Sequence, residues 1–203
     1  MQSIQQKEAE VYTELWSSVP SYRRVSPGER YADLFHAIVN DPGATVLDAG
    51  CGEGKGMDAL AAHGYQMCGI DLTDAGWATH THPYPFVTGT IWHDLRPVVY
   101  LFHVSKPEVF RPDGVDYVYS CDVFEHLPEQ FTMLAAQRLL EVTKKGVFLS
   151  IMHQQEIYGS WVGRRLHLTV KPFVWWRDAF REIAEVVEAR DMMERGVFYL
   201  RAK

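Results

Sequence analysis

Cysteine is scarce in this chain of 203 residues. The three that occur, Cys51, Cys68 and Cys121, are an odd number without Cys-x-x-Cys spacing. Neither a disulfide framework nor a zinc site of that type is therefore indicated. Small buried thiols fit a reducing compartment, so we expect a cytoplasmic protein.

Long apolar runs and an excess of positive charge are also missing. No run approaches the ~20 residues of a membrane-spanning helix, and residues 1–8 lack the apolar core of a signal peptide. The formal net charge of −6 argues against a long polyanion as partner, because phosphate contacts need clustered Lys and Arg. The sequence predicts one domain over residues 1–203, with no membrane partner and no nucleic-acid partner favoured.

What the sequence does contain is a glycine-rich stretch at residues 44–56. It opens with an apolar, β-branched run, Thr45-Val46-Leu47, which predicts a buried strand that leads into Asp48. Glycines follow at the alternate positions 50, 52, 54 and 56, and helical spacing begins at Met57. The stretch is not a P-loop, since no hydroxyl follows Lys55, and it lacks the Gly-x-Gly-x-x-Gly dinucleotide spacing. Its backbone N–H groups can still approach a nucleotide closely.

A second predicted strand, residues 66–70, ends in another carboxylate, Asp71. A carboxylate at this place suits the two ribose hydroxyls of an adenosine. Together with Asp71, the Asp-x-Gly-x-Gly-x-Gly pattern resembles motif I of the class I S-adenosylmethionine (SAM)-dependent methyltransferases. The resemblance implies SAM as methyl donor and S-adenosylhomocysteine (SAH) as product. It also implies cofactor contacts from Asp48, Gly50, Cys51, Gly52, Gly54, Asp71 and Leu72.

Two later segments extend the resemblance. Asp94 follows the third predicted strand, where the family has an acidic residue that accepts a hydrogen bond from the adenine amino group. Residues 121–128 resemble the segment after the fourth strand in the type 11 and type 12 methyltransferase families. By that analogy, Cys121 and Asp122 line the methionine end of the cofactor.

The order of the predicted elements indicates an α/β protein. Residues 1–40 carry apolar stripes at helical spacing, and Ser26 is placed as an N-cap. Over residues 44–203 strands and helices alternate, and the last two strands are close enough to form an antiparallel hairpin. We expect a three-layer α/β/α sandwich with a mostly parallel seven-stranded sheet and an N-terminal helical cover. The resemblance implies the same fold over residues 44–200.

Methyl transfer from a sulfonium is an in-line displacement with an already activated donor. The enzyme mainly positions the acceptor and, for a hydroxyl, removes its proton. Histidine is the natural base near pH 7. His126, His153 and His167 are placed at the carboxyl edge of the predicted sheet, and His126 and His167 are the leading candidates.

A divalent metal is an alternative that the sequence does not favour. Asp122-x-x-Glu125-His126, with His167 further on, resembles the Glu-x-x-Glu-His…His arrangement of small-RNA 2′-O-methyltransferases and some ubiquinone-pathway O-methyltransferases. Asp122 is shorter than the glutamate expected there, and Glu125 and His126 can equally well cap a helix. The His80-x-His82 pair lies in an irregular segment that does not fix the two rings, so it is not favoured as a metal site either.

The acceptor is the least explicit part of the sequence. We expect a small molecule or glycan, methylated at oxygen, and a chain that is a monomer or homodimer. An RNA or protein methyltransferase and a non-catalytic SAM-binding protein remain alternatives, because the fold does not fix the acceptor.

Overall fold

The computed structural model describes residues 3–24, 26–79 and 81–203. Its helices are α1 (Ile4–Ser18), α2 (Pro27–Val39), α3 (Lys55–Ala62), α4 (Arg96–Ser105), α5 (Glu129–Val142) and α6 (Phe173–Ile183). Its strands are β1 (Thr45–Ala49), β2 (Gln66–Asp71), β3 (Phe86–Thr88), β4 (Val115–Cys121), β5 (Thr143–Met152), β6 (Glu185–Asp191) and β7 (Arg195–Arg201). Short 3-10 helices occur at Pro20–Arg24, Trp77–Thr79, Phe124–His126 and Tyr158–Val162.

The strands form one sheet in the order β3-β2-β1-β4-β5-β7-β6. Strands β1 to β5 pair in parallel, and β7 runs antiparallel to both β5 and β6. This confirms the predicted mostly parallel seven-stranded sheet with its C-terminal antiparallel hairpin. Strand β5 follows α5 directly and includes Lys144, Lys145 and Gly146, because its pairing with β4 already starts at Thr143.

The alternation of side chains along β1 builds a core on each face of the sheet. Leu47 belongs to a cluster with residues of α4, α5 and α6, among them Phe102, Leu139 and Trp176. Its neighbour Val46 belongs to the opposite cluster, which includes Phe35 of α2. Since successive strand residues face opposite sides, one buried strand anchors both helical layers. The result is the predicted three-layer sandwich.

The glycine-rich loop follows β1 at the carboxyl edge of the sheet, between α3 and the segment after β4. Gly50 has a φ of 93°, and a Cβ there would lie 2.3 Å from Cγ2 of Val123. Only glycine meets both constraints without displacing the neighbouring segment. The loop backbone is therefore held close to the segment that follows β4.

The N-terminal helix packs outside these two cores. Leu15 and Val19 form a third cluster with Leu166, joined by half-buried Tyr12 and Tyr158. We call α1, the Pro20–Arg24 turn and residues 154–166 the roof, since they lie over the carboxyl edge of the sheet. Among the described residues, no helix is both long and apolar enough to span a membrane.

Candidate active site beneath the roof

Two adjoining cavities lie at the carboxyl edge of the sheet. The larger has a volume of about 250 Å³ and the smaller of about 120 Å³. They share walls from the roof, the glycine-rich loop and the segment after β4: Trp16, Tyr22, Gly50, Gly52, Asp122 and His126. Parallel sheets bind ligands at this edge, so an extended ligand can occupy both cavities.

The smaller cavity contains Asp71 at the end of β2. The backbone N–H of Gly52 donates to its Oδ2 over 2.7 Å, which ties the β2 carboxylate to the glycine-rich loop. Burial raises the pKa of Asp71, and hydrogen bonds from backbone N–H groups oppose that shift. Leu72 lines the same cavity. The carboxylate is thus fixed against the glycine-rich loop in the wall of the smaller cavity.

The far end of the smaller cavity is formed by residues after β3. Thr90, Ile91 and Trp92 line it, and the Thr90 hydroxyl is buried without a hydrogen-bond partner in the described structure. Such an orphaned hydroxyl normally has a partner in a ligand or water. Trp92 is held in place by stacking on Phe131, with ring centroids 5.2 Å apart. These features fit a flat polar group such as a nucleobase.

Asp94 lies outside both cavity walls, unlike the position expected for an adenine contact. Its carboxylate is exposed and accepts two hydrogen bonds from the Arg96 guanidinium, over 2.8 Å and 2.7 Å. These bonds lower the pKa of Asp94 to about 2. Asp94 is thus paired with Arg96 at the surface, and Thr90, Ile91 and Trp92 line the smaller cavity instead.

The larger cavity has Asp48 in its wall. Its side chain is almost fully buried, and burial, with Asp71 nearby, raises its pKa to about 8. Cys51 and Cys121 also line this cavity, and burial keeps the pKa of both thiols well above the usual value. Both cysteines are therefore thiols and not nucleophilic thiolates.

Gly54, which the resemblance predicts as a cofactor contact, lies at the start of helix α3 and does not line either cavity. It is the N-cap residue of α3 with a φ of 83°. Its contribution is the turn that starts the helix.

A cluster of Glu125, His126 and His167 borders the larger cavity. One potential ligand atom of each lies within 4.8 Å of the others. Glu125 is fully buried; its Oε1 accepts from the Met152 N–H over 3.0 Å, and its Oε2 has no hydrogen-bond partner among the residues that the structure describes. Burial, with Asp122 nearby, raises the pKa of Glu125 well above its usual value.

The two histidines of this cluster differ in their freedom. Nδ1 of His126 lies 2.6 Å from the Tyr12 hydroxyl, and the ring also hydrogen-bonds the Leu166 backbone. Desolvation and the neighbouring His167 lower the pKa of His126 to about 3. His167 donates from Nδ1 to the Gln154 carbonyl over 2.5 Å, which leaves Nε2 as its lone-pair nitrogen. Burial lowers the pKa of His167 as well.

His153 lies away from both cavities. Its ring packs near Phe173 of α6, with centroids 6.1 Å apart, and its Nε2 is buried against Gly196. The side chain after Met152 thus points to the α6 side of the sheet, and the structure does not bring His153 to the other two histidines. Of the His80 and His82 pair, His80 lies outside the described residues.

Asp122 is engaged by an arginine that the sequence did not single out. Arg195, the first residue of β7, donates to Asp122 from Nε over 3.1 Å and from Nη2 over 2.6 Å. Asp122 adopts a φ of 53°, which presents its side chain to this partner at the boundary of the two cavities. It lies outside the Glu125–His126–His167 group, so the four-residue metal set that the sequence offers as a less favoured alternative is reduced to three residues.

The carboxylate after β1, the glycine-rich loop and the second carboxylate after β2, which contacts the loop, are the arrangement that the class I SAM-dependent methyltransferase motif predicts. A family profile described as a methyltransferase domain matches residues 21–193. The chain belongs to this family.

Similar proteins agree with that assignment. A probable SAM-dependent methyltransferase of Mycolicibacterium smegmatis is 34% identical over 108 residues, which are 53% of this chain and 37% of that protein. A ubiquinone biosynthesis O-methyltransferase of Xanthomonas campestris is 29% identical over 126 residues, 60% of this chain and 48% of that protein. The chain thus spans less than half the length of these relatives.

Solved structures share the fold. Burkholderia thailandensis 1,6-didemethyltoxoflavin-N1-methyltransferase, with its namesake compound and SAH bound, has a TM-score of 0.67 at 14% identity, over 100% of this chain and 92% of that chain. Magnesium protoporphyrin IX methyltransferase from Synechocystis, with SAM bound, has a TM-score of 0.57 at 16% identity, over 100% and 86%. These two structures hold SAH and SAM, the product and the cofactor that the sequence predicts for this chain.

The raised pKa of Asp48 predicts a pH-dependent stability. In the ligand-free protein Asp48 titrates near pH 8, against about 3.9 in the unfolded chain. Its stabilising contribution is present below pH 4 and is lost as the pH rises through 8. At pH 9, Asp48→Asn should therefore be more stable than the wild type by about 1–3 kcal/mol, and at pH 4 no more stable.

Urea unfolding of the ligand-free protein between pH 4 and 9 measures this difference. Asp74→Asn, which neutralises an exposed acid of the nearby loop, should keep the wild-type pH dependence. A wild-type pH dependence in Asp48→Asn would contradict the assignment of the shift to this carboxyl.

Proposed function

We propose that this protein transfers the methyl group of SAM to an oxygen of a small molecule. The observation that carries the proposal is the larger cavity, a space of about 250 Å³ with His167 in its wall and α1 above it. It continues from the smaller cavity, past Gly50 and Asp122, on the side where an acceptor would meet the methyl group.

In this proposal the smaller cavity binds the adenosine of SAM, and the larger cavity binds its methionine end and the acceptor. The adenosine of SAM occupies the smaller cavity, with its ribose hydroxyls on Asp71 and its base near Thr90 and Trp92. The methionine end passes Gly50 toward Asp48 in the larger cavity. SAM supplies a methyl group on a positively charged sulfur, and a positive charge beside Asp48 would favour the ionised form of this carboxyl.

The roof supports a small acceptor over a polymer. Trp16, Tyr22 and Tyr158 lie in the wall of the larger cavity, and edge-to-face contacts connect their rings. The basic groups of that wall are already paired, Lys55 with Glu53 and Arg195 with Asp122. A nucleic acid would need free cations along an open groove. The relatives named for ubiquinone biosynthesis and toxoflavin methylation also favour a small acceptor.

His167 is the base in this proposal. Burial keeps its pKa below the usual value, so the ring is neutral at pH 7 and its Nε2 can accept a proton. The acceptor hydroxyl gives its proton to Nε2 as its oxygen takes the methyl group, and the sulfonium becomes the thioether of SAH. The imidazolium then returns the proton to solvent. His126 lacks this freedom, because Tyr12 and the Leu166 backbone already bind its ring.

His167→Gln should lower turnover about 100-fold or more, the usual contribution of a general base, and should keep SAH affinity within about threefold. The measurement is SAH release from SAM with a panel of phenols, catechols and sugars, alongside calorimetric titration with SAH. His63→Gln is the control, since His63 lies at the end of α3 on the opposite edge of the sheet.

Three results would separate the alternatives. Wild-type turnover in His167→Gln would exclude this base. SAH binding without turnover on any small acceptor, but with methylation of RNA or protein, would replace the acceptor class. SAH binding with no methylation at all would favour a non-catalytic SAM-binding protein.

A metal-assisted reaction is a second candidate, and the buried Oε2 of Glu125 favours it. Two imidazoles and one carboxylate form a donor set that suits divalent transition metals and leaves coordination positions open for an acceptor. The Nδ1-H of His167 is already bound by a backbone carbonyl, as in many metal-ligating histidines. Against it, a ligand role for Nδ1 of His126 would require Tyr12 to give up its hydrogen bond.

If this candidate is correct, Zn²⁺ or Mn²⁺ should bind the metal-stripped protein with one equivalent, and Glu125→Gln should weaken binding at least about tenfold. Calorimetric titration measures both values, and chelator should abolish turnover. Glu129→Gln, at an exposed acid that begins α5, is the matched control. Full turnover after chelation, with no stoichiometric metal bound, would leave His167 acting as a free base.

A further inference from the structure

Polar contacts join the parts of the roof to each other and to the rest of the molecule. Arg164 donates to Glu8 over 2.8 Å, which joins the two parts of the roof to each other. The hydroxyls of Thr13 and Thr73 lie 2.8 Å apart and link α1 to the loop after β2. The Trp16 ring covers Gly52 so closely that a Cβ there would lie 2.9 Å away. Helix α1 thus covers the cofactor loop and contributes to neither of the two cores of the sheet.

The same roof holds both histidines of the reactive cluster. Helix α1 supplies the Tyr12 hydroxyl, 2.6 Å from Nδ1 of His126. Residues 154–166 supply the Leu166 backbone to His126 and the Gln154 carbonyl to His167. The rings of His126 and His167 contact each other edge to face, with centroids 4.6 Å apart and an angle of 89° between planes. A rotation of His126 would therefore displace His167.

We propose that Tyr12 is a positioning residue that makes the arrangement of His126 and His167 depend on the seating of α1 over the cofactor. The inference rests on the proposed function in one respect, namely that this histidine pair acts on the acceptor.

The ring proton of His126 gives this contact its direction. Neutral His126 donates its single ring proton from Nε2 to the Leu166 carbonyl, so Nδ1 is the acceptor for the Tyr12 hydroxyl. When α1 lifts, His126 loses one of the two contacts that hold this tautomer and ring orientation.

This contact links two events that methyl transfer must keep in order. With SAM in the smaller cavity as proposed, Tyr12 and Trp16 of α1 form part of the wall around it, so a displacement of α1 during exchange of SAM and SAH would also release the histidine pair. While α1 is lifted, the histidine pair is not held for proton transfer. The acceptor is therefore activated only in the closed site.

Tyr12→Phe tests the proposal in the SAH complex without any acceptor. In the wild type, ¹⁵N–¹H spectra of the histidine rings should show one tautomer of His126, with the proton on Nε2. In Tyr12→Phe, His126 should populate both tautomers. Hydrogen exchange over residues 4–18 should also become about 3–10-fold faster, the effect of losing one hydrogen bond.

Tyr65→Phe is the matched control. The Tyr65 hydroxyl lies 3.0 Å from Nδ1 of His36, so this variant breaks a Tyr–His hydrogen bond at the opposite edge of the sheet. It should change the His36 signals and leave His126 and α1 unaffected.

Arg164→Gln provides a second test that leaves Tyr12 intact. It removes the Glu8 ion pair, so it should speed exchange in α1 and also introduce the second tautomer of His126. Faster exchange in α1 with an unchanged His126 would overturn the coupling, as would an unchanged His126 in Tyr12→Phe. Neither result depends on turnover, so a failure of the His167 proposal is recognised separately.

Discussion

The hydrogen bond from the Gly52 N–H to the Asp71 carboxylate is the contact on which the cofactor site depends. It forms because β1 and β2 are parallel neighbours, so the loop after one strand and the acid after the other meet at the same edge. Because Gly50 has no side chain, the loop lies directly against Val123, so the segment after β4 lines the same cavity as the loop. The cavity that we propose for the adenosine therefore results from the strand order and from the absence of a side chain at Gly50.

Acceptor chemistry depends on a different part of the chain. The short helix after β4 contributes Glu125 and His126. The roof contributes the Tyr12 hydroxyl and the backbone groups that orient both histidines. A hydrophobic cluster of its own holds the roof together. Because the roof packs in its own cluster, its residues can change without disturbing either core of the sheet.

The sequence predicts the sheet and its C-terminal hairpin, and most of its candidate cofactor residues line the two cavities, because their signals are local: an apolar strand, then an acid, then glycines. Arg195 carries no such signal, since it reaches Asp122 only through the pairing of Met152 with Arg195 between β5 and β7. Tyr12 and Trp16 belong to an apolar stripe at helical spacing. Such spacing does not show whether a helix packs into the core or covers a binding site. Asp94 follows β3 as expected, but Arg96 captures it. His153 is at the predicted strand end, yet its ring lies by Phe173 of α6.

Calorimetric titration of SAH into the wild type and Asp71→Asn tests whether Asp71 binds the ribose of the cofactor. The wild type should bind SAH, and Asp71→Asn should bind it about 10–100-fold more weakly, because a charged hydrogen-bond acceptor for the ribose is lost. The exposed neighbour variant Asp74→Asn should bind like the wild type. Equal SAH affinity in Asp71→Asn and the wild type would contradict the placement of the adenosine in the smaller cavity.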